Sequence, residues 1–270
     1  MTALEKYNTR AAKVNSLLCV GLDPEYEKLP PEFSAQAEPQ FEFNRRIIEE
    51  THPYAAAYKL NIAFYEARGD QGFRELKKSI DYLKQTYPDI PILCDAKRNE
   101  VINTSRQYAA ALFDWFGFDG TTLNPYLGRE PLQPFLERRD KACIILCRTS
   151  NPGAGEFQDL LVQSADSPGL PLWQMVAERV RDEWNANGNC MLVVGATYPA
   201  EMKKIREITG EMTFLVPGLG VQGGEVEAMV KAGLNKDGKG LICVSARGII
   251  FAADPAAAAR ELRDQINAFR

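Results

Sequence analysis

The sequence predicts an α/β protein of the (β/α)8 TIM-barrel class. Three observations lead there. Short, nearly continuous apolar runs recur along the chain, amphipathic segments fill the gaps between them, and there are eight such runs. A length of 270 residues suits one barrel, and an apolar content of 45% supplies a sizeable core. Residues 1–270 are accordingly read as a single domain, with no linker or low-complexity tract inside it.

The strands are expected at "SLLCVGL" (16–22), "YAAAYKL" (54–60), "IPILCDA" (90–96), "DGTTLN" (119–124), "ACIILCR" (142–148), "CMLVVGA" (190–196), "TFLVPGL" (213–219) and "GLICVSA" (240–246). Runs that stay apolar rather than alternate suit a parallel sheet covered by helices. Helical periodicity is expected over 40–51, 71–86, 101–116, 130–138, 171–186, 199–209, 224–232 and 255–269. A leading helix near 3–14 would close the bottom of the barrel. The stretch 149–170, with three glycines and two prolines, is too long for a plain βα loop and reads as a lid or insertion.

Composition narrows the function. A net charge of −4 shows no basic excess, which argues against nucleic acid as a partner. No apolar run approaches the roughly 18–20 residues of a membrane span, and the polar N-terminal segment has no signal-peptide core. Six cysteines, at 19, 94, 143, 147, 190 and 243, all fall in apolar strand-like runs, with spacings that fit neither a zinc site nor a disulfide framework. They are expected to be buried and reduced in a cytoplasmic protein. The one histidine, His52, precedes Pro53 at a helix end and reads as a surface residue, which argues against histidine-based catalysis.

Chemistry in such barrels gathers at the carboxyl ends of the strands. Those ends carry Asp23, Lys59, Asp95 with Lys97, Asn124, Thr149 with Ser150, Thr197, Gln222 and Arg247. Asp95 and Lys97 are two apart, so an unbroken strand would point both into the barrel mouth. A lysine buried beside carboxylates stays protonated and can donate a proton. The competing account is an ion pair that merely finishes a strand. "PGLGVQGGE" (217–225) matches G-x-G-x-x-G through Gly218, Gly220 and Gly223, but after the seventh strand and without an acid some 20 residues on. A phosphate held by loop N–H groups and a helix N-terminus is the better reading, with Arg247 adding charge.

These residues resemble the orotidine 5'-phosphate decarboxylase family, in the longer form also found fused to orotate phosphoribosyltransferase in bifunctional UMP synthases. The resemblance runs nearly end to end. It is carried by "LLCVGLDP" (17–24), "AAAYKLNIAFYE" (55–66), "DAKRNEVINTS" (95–105), "NPYLG" (124–128), "LCRTSNPGAGEFQ" (146–158), "VVGAT" (193–197), "VPGLGVQGG" (216–224) and "VSARGI" (244–249). It implies decarboxylation of orotidine 5'-phosphate to UMP in pyrimidine biosynthesis, with no cofactor and no metal. By the same resemblance Asp23 and Lys59 bind the ribose, Asp95 faces the substrate carboxylate and Lys97 is the general acid, with Lys59 and Glu100 counted in the catalytic charged array. Ser150 contacts the pyrimidine. Pro217, Gln222, Gly223, Gly224, Arg247 and Gly248 surround the phosphate.

The resemblance also implies a homodimer with shared sites, in which Glu100 and Thr104 enter the neighbouring subunit's site. It leaves room for fusion to, or association with, orotate phosphoribosyltransferase. One position departs from the pattern. The family's D-x-K-x-x-D is D-x-K-x-x-E here, so Glu100 carries one methylene more, moving its carboxylate by roughly 1 Å unless the backbone compensates. Alternatives to the active decarboxylase are therefore a slow or non-catalytic nucleotide-binding homologue, and a sugar-phosphate decarboxylase or aldolase on the same scaffold.

Overall fold

A computed structural model describes residues 1–164, 167–219 and 223–270, with backbone alone at 164, 167, 168, 223 and 224. Eight strands close into a parallel barrel: β1 (Leu18–Gly21), β2 (Ala57–Asn61), β3 (Ile92–Arg98), β4 (Gly120–Leu123), β5 (Ala142–Arg148), β8 (Cys190–Val194), β9 (Phe214–Val216) and β10 (Leu241–Ser245). The order around the barrel is β1-β10-β9-β8-β5-β4-β3-β2. All neighbouring barrel strands run parallel, so each connection returns the chain to the same end and the eight carboxyl termini share one rim.

The barrel strands fall inside the apolar runs or overlap them closely, because both faces are covered: Leu18, Cys19, Val20, Leu60, Cys94, Ile144 and Val194 have no exposed surface. All six cysteines are buried and free, and His52 is half-buried against Tyr87, with ring centroids 4.4 Å apart. The strand predicted to run to 219 stops at Val216. Pro217 has no N–H to give the ladder, and Gly218 turns the chain with φ +92°. Strand β3 continues to Arg98, two residues past the apolar run, but with a register shift against β4.

Helices Pro39–Thr51, Gly69–Thr86, Pro199–Thr209, Gly223–Gly233 and Pro255–Asn267 lie where the periodicity put them. The helix expected over 130–138 is shorter, a 3-10 turn at Glu130–Leu132 followed by Gln133–Leu136. Pro131 and Pro134 each stand near the start of one of these pieces, where a missing N–H does no harm. The helices expected over 101–116 and 171–186 each change from α to a wider π turn, at Ala110–Phe116 and Val180–Trp184. Within 149–170 the chain forms an antiparallel hairpin outside the barrel, β6 (Leu161–Ser164) with β7 (Ser167–Pro171). Its prolines and glycine hid it from sequence, since they are tolerated only in edge strands of this kind. Among the described residues no helix is long and apolar enough to cross a membrane.

The leading helix, Ala3–Lys13, is held by a Thr2/Glu5 capping box and closes the amino end of the barrel as expected. Its Tyr7 hydroxyl donates to the Leu241 carbonyl at 2.5 Å, Arg10 Nε donates to the Ala55 carbonyl at 3.1 Å, and Lys6 pairs with Asp119 at 2.9 Å. These partners lie at or just before the starts of β10, β2 and β4, so one helix ties these strands together at the amino end. Tyr7→Phe should lower the unfolding free energy by about 1–2 kcal/mol in urea titration without altering the opposite rim, because it leaves the Leu241 carbonyl without this donor.

Candidate active site

At the carboxyl rim four charged side chains form a row. Lys59 Nζ lies 3.5 Å from Asp23 Oδ2 and 3.3 Å from Asp95 Oδ2, and Lys97 Nζ lies 2.6 Å from Asp95 Oδ1. Three adjacent strands supply them: β1 leads into Asp23, β2 carries Lys59, and β3 carries Asp95 and Lys97. The register places Gly21 opposite Lys59 and Asn61 opposite Asp95, so the ends of β1, β2 and β3 step past one another. Asp23 also accepts the Asn61 N–H at 2.9 Å.

Two details differ from the sequence reading. The buried lysine is Lys59, whose side chain is 4% exposed, while Lys97 is half-exposed. Lys59 sits within its strand rather than at the tip. And Asp95 and Lys97 do not converge by simple alternation. Lys97 adopts φ +47°, a left-handed conformation unusual for a residue with a side chain, at the register shift between Cys94 and Arg98. The amides freed by that shift, Ala96 and Lys97 N–H, both donate to Thr122 Oγ1 on β4, at 3.0 and 2.9 Å. Thr122 in turn donates to Asp95 Oδ1 at 2.9 Å.

Electrostatics keep the row charged. Burial alone would raise the Asp95 carboxyl, but Lys59, Lys97 and the hydrogen bonds from Lys97 and Thr122 outweigh it and hold it at about 2. Burial would likewise discharge Lys59, and the carboxylates of Asp23 and Asp95 reverse this, pushing the ammonium well above its ordinary range. Two anions and two cations alternate, so no charge in the row is left facing apolar surroundings alone.

Glu100 does not join the row in this chain. Its carboxylate accepts the Val101 N–H at 2.8 Å, and this bond together with the Thr104 hydroxyl favours the ionised form and holds its pKa below the usual carboxylate value. Ser105 secures the backbone there, accepting the Glu100 N–H at 3.1 Å and donating to the Glu100 carbonyl at 2.7 Å. Glu100 and Thr104 thus stand together at the start of the helix Ile102–Ala109, while Lys97 pairs with Asp95.

On the other side of the rim Ser150 packs against Gly195 and Gly218. A Cβ on Gly195 would come within 2.9 Å of the Ser150 backbone, so glycine is needed for that approach. Pro217 follows β9, and its carbonyl accepts the Ala196 N–H at 3.1 Å. Gln222 and Gly220 fall outside the described residues, while Gly223 and Gly224 open the helix Gly223–Gly233. Arg247 and Gly248 are exposed just past β10 in the turn Arg247–Ile250, and Arg247 makes no ion pair among the described residues. Asn124 and Thr197 are exposed at their strand ends and are not brought into the charged row.

Sequence reasoning passed over Arg148 and Thr122. Arg148, 3% exposed at the end of β5, stacks on Tyr198 at 3.9 Å, bonds Gln158 at 3.4 Å and pairs with Asp159 at 3.2 Å. Gln158 bonds back to Thr149, accepting its N–H and donating to its hydroxyl. The base of the 149–160 loop is therefore tied to the barrel by one arginine. A polar residue inside an apolar run was the available signal in both cases.

Asp95's contribution to folding is present above its ordinary value near 4 and is lost as pH falls through about 2, since its carboxyl is lowered in the folded state. Asp95→Asn should remove on the order of 1 kcal/mol of the stability loss seen between about pH 5 and about pH 3, as read from urea midpoints at the two values.

Comparison with known proteins gives this geometry its family. The model of the family described as "Orotidine 5'-phosphate decarboxylase / HUMPS family" matches residues 16–262. An orotidine 5'-phosphate decarboxylase of Cellvibrio japonicus is 47% identical over 279 residues, covering all of both chains, and one of an Azoarcus species is 44% identical over 95% of each. Among solved structures, Leishmania donovani OMP decarboxylase superposes with a TM-score of 0.87 at 40% identity, covering 100% of this chain and 98% of that one. Leishmania donovani UMP synthase gives 0.89 at 42% identity, with 100% of this chain matching 56% of that one. With an alternating lysine–carboxylate row at the mouth of a closed barrel and relatives of this identity over its full length, the chain belongs to the orotidine 5'-phosphate decarboxylase family.

Proposed function

We propose that the decarboxylation of orotidine 5'-phosphate to UMP, the reaction of this family, runs here through Lys97 as general acid, without cofactor or metal. The observation that carries the assignment is the 2.6 Å contact between Lys97 Nζ and Asp95 Oδ1 beside a buried Lys59. Breaking the bond from C6 to the carboxylate releases CO2 and leaves the electron pair on C6. The Lys97 ammonium stabilises that charge and transfers its proton to C6, and the lysine regains a proton from solvent. Asp95, fixed as an anion, faces the substrate carboxylate and disfavours the bound ground state relative to the carbanion.

Asp23 and Lys59 hold the ribose hydroxyls, and Ser150 meets the pyrimidine. Pro217, Gln222, Gly223, Gly224, Arg247 and Gly248 take the phosphate, for which the exposed guanidinium of Arg247 supplies charge. Phosphate binding, far from the breaking bond, supplies energy to close the 149–160 loop. The free, buried cysteines favour a cytoplasmic setting. Residues 1–270 act as one decarboxylase unit, and the Leishmania donovani pair supports a barrel able to serve alone or within a longer synthase.

The working unit is a homodimer with shared sites, in which Glu100 and Thr104 of each copy complete the other's row. Two features support this. Glu100 is bonded to Thr104 and Val101 and makes no ion pair with its own Lys97 among the described residues. Loops after the neighbouring strands β3, β4 and β5 leave Val101, Tyr126, Leu127, Phe157 and Leu160 exposed, large apolar side chains on the face a partner would cover. The extra methylene of glutamate lengthens the reach from that face.

Lys97→Ala should abolish release of CO2 from orotidine 5'-phosphate while UMP still binds, with wild-type turnover unaffected by EDTA; full activity in Lys97→Ala would remove it as the acid. Mixing Lys97→Ala with Glu100→Ala chains tests the sharing. Neither homodimer should turn over at a wild-type rate, yet a random equal mixture should recover roughly a quarter of wild-type activity, because half of the dimers are hybrids and one of the two sites in each hybrid is intact. No recovery would place both residues in one chain's site.

A further inference from the structure

We propose that Thr122 is a positioning residue for the Asp95–Lys97 pair, setting through one buried hydroxyl both the backbone turn that carries the lysine and the direction of the carboxylate. The inference rests on the reading of Lys97 as proton donor. Thr122 is 2% exposed in β4, and its Oγ1 makes three contacts: it accepts from Ala96 N–H at 3.0 Å and Lys97 N–H at 2.9 Å, and it meets Asp95 Oδ1 at 2.9 Å.

A hydroxyl has two acceptor lone pairs and one proton. With both lone pairs taken by amides, which can only donate, the proton is available only to Asp95. The rotor is thereby locked, and every hydrogen-bonding capacity of the group is used.

The need for such a group comes from the barrel. A parallel ladder would give the amides of Ala96 and Lys97 to carbonyls of β4, but the pairing shifts between Cys94 and Arg98, where Lys97 takes φ +47°. Buried amides released from a ladder need another acceptor, and Thr122 supplies it to both. Lys97 can then leave the strand direction without losing its backbone bond, and its ammonium folds back onto the carboxylate that the same hydroxyl orients. The preceding Thr121, also buried, has an Oγ1 with no partner among the described residues, so a threonine in this strand is not bonded by default.

The test compares Thr122→Val, which keeps the shape and removes the hydroxyl, with Thr122→Ser, which keeps the hydroxyl. Turnover of orotidine 5'-phosphate is measured with UMP affinity on the same samples, and protection of the Ala96 and Lys97 amides is followed by hydrogen exchange. Thr122→Val should lower kcat by ~10- to 100-fold, as expected for a reacting group displaced by about 1 Å. UMP affinity should stay within ~3-fold, both amides should lose protection, and the acid limb of the pH–rate profile should move to higher pH as Asp95 loses a donor. Thr122→Ser should restore kcat to within ~3-fold of wild type. If the valine prevents folding, Thr122→Ala removes the same hydroxyl and must show the same split between kcat and UMP affinity. A valine variant with wild-type kcat, a serine variant as impaired as the valine one, or equal losses of kcat and UMP affinity would each overturn the assignment. Failure of the wild-type chain to release CO2 would instead overturn the function on which it rests, and the amide protection would still report whether Thr122 holds the turn.

Discussion

Lys59 is an ammonium sealed inside the mouth of the barrel, and the surrounding architecture follows from keeping it charged there. Removing a lysine from water is costly enough that an unpaired one would release its proton. Asp23 and Asp95 prevent this from either side, at 3.5 and 3.3 Å. Asp95 then needs further positive charge and donors to remain an anion at its depth, which Lys97 and Thr122 provide. Each member is stable only because the next is present, so four side chains from three strands behave as one object.

Such an object needs a frame that does not yield. Parallel strands with both faces covered are held by apolar packing over the whole barrel, and the helix Ala3–Lys13 ties the far end through Tyr7, Arg10 and Lys6. Backbone strain lies beside the chemistry at Lys97, with its positive φ, and the hydrogen bonds to Thr122 offset it. Across the same rim the 149–160 loop is anchored through Arg148 and Gln158 and is otherwise largely exposed, so its movement would leave the charged row in place.

Glu100 stands outside the charged row of its own chain. With its carboxylate engaged by Val101 and Thr104, it is preorganised beside an apolar face and adds no charge to its own row. A group presented this way can enter a neighbour's site with its geometry already set. Under the proposed sharing of sites, the longer side chain at this position would be matched to a distance that no contact within one chain determines.

The amino-acid sequence by itself determined the eightfold β/α order, the burial of the cysteines and the strand ends where Asp23, Asp95, Lys97 and Arg247 appear, because apolar periodicity and strand-end polarity are local properties. It also carried the family, through motifs spread along most of the chain. Only the tertiary structure decided that Lys59 rather than Lys97 is the buried lysine, that Lys97 reaches Asp95 through a left-handed turn, and that Thr122 and Arg148 support the two sides of the rim. It likewise revealed the hairpin β6–β7, which its prolines conceal. These depend on register between strands distant in sequence. Nothing local to "DAKRNE" or "GTTLN" says that an amide leaving one ladder will meet a hydroxyl from the next.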